Sequence, residues 1–113
     1  MSNYEVKDVL EKLFKDAYSV METLAAKNGG VFTSQQFLKH IAQQNQVVYI
    51  ELLNRCLAHP AASPFNAAHQ HIGSKLSEVA RKAGYDGPFD EGRTETDIFG
   101  HPTGRIVYRS GKV

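Results

Sequence analysis

The hydrophobic period of this chain is helical for most of its length and then changes. In "TETDIFGHPTGRIVYRSGKV", residues 94–113, Arg105, Val107 and Arg109 alternate with Ile106 and Tyr108, and Thr94, Thr96 and Ile98 alternate before them. A period of two belongs to strands. The intervening "GHPTG", residues 100–104, carries turn residues at both ends. The pattern predicts an antiparallel hairpin between these two segments. A lone hairpin is marginal in water, so this one must dock on the preceding helices. Ile106 and Tyr108 would face inward, and Arg105 and Arg109 outward.

The helices are read from the three- and four-residue spacing of apolar side chains. Val6, Val9, Leu10, Leu13, Phe14, Ala17, Val20, Met21 and Leu24 form one stripe, predicting a single helix over residues 3–28 that stops at Asn28-Gly29-Gly30. Val31 and Phe32 form a short extended piece. Thr33 and Gln36 then form a capping box for a second helix that buries Phe37, Leu38 and Ile41. A third helix is predicted over 47–58, with Tyr49, Leu52, Leu53, Cys56 and Leu57 on its apolar face. After the loop "HPAASP", Ser63 caps a fourth helix with Pro64 in its first position. That helix, residues 64–83, buries Phe65, Ala68, Ile72, Leu76, Val79, Ala80 and Ala83 and stops at Gly84.

A chain of 113 residues with 42% hydrophobic side chains is expected to form one domain over residues 1–113 around one core. Its net charge of +1 is not the overall basic balance of many nucleic-acid proteins, although a local basic face would suffice for binding. Cys56 is the only cysteine, which precludes an internal disulfide and points to a reducing, cytoplasmic setting. No apolar run approaches the ~20 residues of a membrane span.

The order helix, short extended piece, helix, helix, helix, hairpin resembles a winged helix-turn-helix domain. The resemblance rests on "GGVFTSQQFLKHI", the amphipathic helix 64–83 and "GRIVYR" as the last wing strand. The helix at 47–58 departs from it, standing where the family has a tight turn. The resemblance implies four helices plus a C-terminal two-stranded wing. It also implies double-stranded DNA as the partner, with helix 64–83 in the major groove. On that helix Ala67, Gln70, His71, Ser74 and Arg81 lie opposite the apolar face as candidate contacts. Gln70 suits an adenine edge and Ser74 a base or phosphate, while Glu78 would repel phosphate. On the wing Arg93, His101, Thr103, Arg105, Arg109 and Lys112 are the candidates for phosphate contacts or a narrow minor groove. The neighbouring acids Asp86, Asp90, Glu91, Glu95 and Asp97 offer a different reading, in which they pair with these arginines across the hairpin. The alternative function is a protein-interaction module or small inhibitor without DNA binding. A homodimer through helix 3–28 is expected from the unbroken apolar stripe.

Enzyme, metal and cofactor readings find little footing. His69 and His71 stand two apart, and on a helix such positions diverge too far to share an ion. His40, His59 and His101 lack partners at ligand spacing. Cys56, among leucines, reads as an inert buried thiol. "GHPTGR" has neither the spacing nor the helix of a phosphate-binding loop. The acids of "FDEGRTETD" lack the placed lysine that nuclease chemistry would want. No enzyme, metal site or cofactor is therefore expected.

Overall fold

A computed structural model describes residues 5–58 and 63–111. Among them the element order is α1 (Lys7–Leu13), α2 (Ala17–Lys27), β1 (Val31–Thr33), α3 (Ser34–Gln44), α4 (Gln46–Cys56), α5 (Pro64–Lys82), β2 (Tyr85–Asp90), β3 (Glu95–Thr96), β4 (Pro102–Thr103) and β5 (Ile106–Ser110). The protein is mainly helical with small antiparallel sheets, as the change of period predicts.

Local capping chemistry sets the starts of α3 and α5. Gln36 N–H donates to Thr33 Oγ1 at 3.1 Å, and Thr33 N–H donates to Gln36 Oε1 at 2.9 Å, completing the expected capping box. Ser63 Oγ accepts from Asn66 N–H at 3.3 Å, with Pro64 opening α5. The predicted first helix, however, is two helices. Residues 14–16 form a tight turn in which Ala17 N–H donates to the Phe14 carbonyl at 3.0 Å. Apolar spacing cannot show this break, because one tightened turn leaves the stripe in phase. There are therefore five helices among the described residues, not four. The stripe itself faces the protein's own core: Val9, Leu13 and Met21 are at most 1% exposed. A homodimer through residues 3–28 thereby loses its basis, since the stripe is already covered.

The sheet also differs from the predicted hairpin. β5 is the middle strand of three, in the order β1-β5-β2, and pairs antiparallel with both neighbours. Residues 85–90, whose sequence offers turn residues and no strand period, are the partner of 106–110. Residues 95–96 pair instead with 102–103 in a separate two-stranded flap. The register sets Phe32 against Tyr108 and Thr33 against Val107. Since side chains alternate across a strand, Ile106 and Tyr108 face the helices while Arg105, Val107 and Arg109 share the outer face. Val107 is buried there as well, at 1% exposure.

The core joins helices to sheet through aromatic rings. Phe32 stacks on Tyr108 at 5.3 Å between centroids and meets Tyr85 edge-on at 5.2 Å. Phe37 continues the chain of rings to Phe14. Leu57, expected on the apolar face of the third helix, is instead 66% exposed. One residue beyond Cys56, it stands ~100° further round the helix and past the edge of the inward face.

Candidate nucleic-acid interface

α5 presents one open side. Gln70, Gly73, Ser74 and Ser77 face Ser34 at the start of α3 and Pro88, Ile106 and Tyr108 of the sheet, across an open groove of about 680 Å³. The lining carries no formal charge; it consists of hydroxyls, one amide and a glycine over an apolar floor. Tyr108 has its phenol pKa raised by burial, while a hydrogen bond with Ser77 and the charge of Arg81 pull the other way. Arg81 therefore sits within electrostatic reach of the groove. On the other flank of α5, Val6, Lys7, Leu10, His71, Ser74, Lys75 and Glu78 line a smaller recess. Ser74 is common to both, so it occupies the ridge.

Among the residues expected on this helix face, Gln70, Ser74 and Arg81 are exposed and His71 is half-buried. Ala67 is not available: it is 4% exposed and belongs to the core. α5 packs against α1, α3, α4 and β2, and this enclosure buries more of the helix than its apolar stripe shows. Ser34 and Ser77 carry no signal of their own in the sequence; only the approach of α3 and β5 to α5 gives them a place.

The wing candidates lie elsewhere. Arg105 and Arg109 emerge on one side, as expected, but on the outer face of the sheet, away from the groove. Both meet the same carboxylate: Arg105 Nε donates to Glu91 Oε1 at 3.2 Å, and Arg109 Nη2 to Glu91 Oε2 at 2.8 Å. Arg105 also lies 3.9 Å from Glu95. The two arginines and Glu91 are substantially exposed, and such pairs are worth little and exchange readily. Arg93 donates to the Pro102 carbonyl at 3.0 Å. Thr103 is half-buried in β4, paired with Glu95. His101 is exposed on the flap. Lys112 lies outside the described residues.

The flap is folded back onto the body rather than extended. Phe99 meets Phe65 edge-on at 4.8 Å and stacks on His69 at 6.3 Å. Phe65, expected in the core, is thus a seat for the flap and stays 40% exposed. His69 in turn shares a 2.7 Å hydrogen bond with the Tyr49 hydroxyl. Burial lowers the His69 pKa, against the pull of Asp97, and raises that of Tyr49 to about 12. At the base of the flap, Thr33 Oγ1 donates to Glu95 Oε2 at 2.7 Å.

Asp97 shapes the flap's turn: its Oδ1 accepts from the N–H groups of His101 and Phe99, each at 2.9 Å. The His101 bond is the main cause of a carboxyl pKa held below its usual 3.8. The turn's stabilisation is therefore complete above the unfolded-state pKa and is lost as pH falls through the lower folded-state value. Amide protection at Phe99 and His101, relative to the intrinsic exchange rate at each pH, is expected to fall selectively on acidification below the ordinary carboxylate range, and Asp97→Ala should show the same loss of protection at neutral pH.

Comparison with protein-family models, with curated proteins and with solved structures returned no match.

Proposed function

We propose that the protein binds double-stranded DNA, with α5 as the element that enters the major groove. The observation that carries this reading is the open side of α5, where Gln70, Gly73, Ser74 and Ser77 combine hydrogen-bonding groups with little bulk. Gln70 is of the right type for a bidentate contact to adenine, and the serines for bases or phosphates. The winged helix-turn-helix resemblance supports it in one further respect: β1, just ahead of α3, joins the same sheet as the strand that follows α5. α4 remains the departure from that pattern.

Gln70→Ala should cost roughly 1–3 kcal/mol on a preferred duplex and leave random duplex nearly unaffected, the behaviour of a base-edge contact. Arg81→Ala should weaken all duplexes alike and flatten the slope of log affinity against log salt by about 0.9. Arg105 and Arg109 face away from α5, so replacing both with alanine should change that slope by less than about 1. Fluorescence titrations at several salt concentrations measure all three. Absence of duplex binding at low salt would remove the proposal. The protein-interaction reading would then replace it, favoured by the pairing of both arginines with acids, Glu91 meeting both and Glu95 also meeting Arg105.

A further inference from the structure

The most exposed large apolar side chains among the described residues lie on α4 and at its C-cap. Val47 is 81% exposed, Leu57 66% and Ile50 55%. Asn54 is exposed too, and Leu57 keeps helical backbone angles just beyond the end of α4. Val47, Ile50, Asn54 and Leu57 are spaced three, four and three residues apart. This is the a/d spacing of a helix seam, with a β-branched residue and an asparagine at the a positions and apolar residues at the d positions. At ~100° per residue the four fall within an arc of about 80°. The buried residues Tyr49, Leu52 and Cys56 lie on nearly the opposite side of the helix. The seam is thus separate from the face that α4 gives to its own core.

The rim of the seam says what partner it fits. Gln43, Gln44 and Gln46 are exposed and uncharged at one end. Along one side Glu51 pairs with Arg55 at 3.2 Å and with Lys12 at 3.8 Å, and Arg55 pairs with Asp8 at 3.1 Å. Two acids and two bases cancel. A strongly acidic or basic partner would find no complementary charge here. In a twofold interface the same patch meets itself, and only a rim without net charge avoids repelling its copy. We infer that α4 is a self-association surface, packing against α4 of a second copy of this chain. This inference is independent of the DNA reading, since it uses neither α5 nor the groove. The seam is only about three turns long, so the contact falls among the small, weak interfaces.

Sedimentation equilibrium from low-micromolar to millimolar concentration tests it. The mean mass should climb from one chain toward two and stop there. Ile50→Glu and Val47→Lys, both at exposed positions, should each hold the protein at one chain throughout while leaving its circular-dichroism melt unchanged. Asn54→Leu, which removes the polar group from the seam, should tighten association by about tenfold or more. Sodium chloride should not weaken association, in contrast to any DNA complex. A chain that stays monomeric at millimolar concentration overturns the inference. So does association that survives Ile50→Glu and Val47→Lys with unchanged affinity, because it must then use another surface.

Discussion

Replacing Phe32 with alanine is expected to lower the unfolding free energy by roughly 3–5 kcal/mol, the cost of deleting a fully buried aromatic ring. Phe32 is 0% exposed and touches rings from three other parts of the chain: Phe37 of α3, Tyr85 of β2 and Tyr108 of β5. The cavity would open where the sheet meets the helices, with aromatic walls too rigid to collapse into it. Denaturant melts measure the loss directly. A change below about 1 kcal/mol, far under that range, would mean that the sheet does not rest on this ring.

The second large effect is expected at Thr33. Its hydroxyl accepts from Gln36 N–H and donates to Glu95 Oε2, so it caps α3 and tethers the flap with one oxygen. Thr33→Val keeps the shape and removes both bonds. Loss of the cap costs about 0.5–2 kcal/mol, and leaving the mostly buried Glu95 carboxylate without its donor adds about 1–3 kcal/mol. A total of roughly 1.5–5 kcal/mol is expected. Thr33→Ser separates the two causes of any loss. It keeps both hydrogen bonds and should recover most of the stability, giving up only the packing of a methyl group. Faster amide exchange in residues 95–103 of the valine variant, but not the serine variant, would identify the flap as the part released.

These two residues also mark where the sequence is readable. The role of Thr33 as a cap was legible because its partner, Gln36, is three residues away and the signal is local. Its bond to Glu95 was not, since nothing in either neighbourhood announces a contact spanning 62 residues. The inward turn of Ile106 and Tyr108 was legible from alternation. The identity of their strand partner was not. β2 contains Gly87 and Pro88, which read as punctuation, and its register with β5 shifts between Asp86 and Phe89. Gly87 has a positive φ of 132°, and a Cβ there would meet the Val107 carbonyl oxygen at 2.7 Å. The strand therefore needs a residue type that argues against strands. At the candidate interface, Gln70 and Ser74 followed from helical phase alone. The burial of Ala67 and the turning of Arg105 and Arg109 away from α5 depend on how elements pack, which phase does not encode.

Because β5 lies in the middle of its sheet, the order of synthesis works against assembly. Residue 31 pairs with residue 109, and residue 85 with residue 110. Both outer strands leave the ribosome before the strand that must lie between them, β1 long before it and β2 only shortly before. Until then Phe32 has no Tyr108 to stack on, and both strands lack their hydrogen-bonding partner. The helices can form early from local contacts, but completion waits for closure of the longest loops in the molecule, which is the slow kind of step. Nascent chains halted before residue 106 should thus be helical yet open to protease, and sticky at the unfilled strand edges.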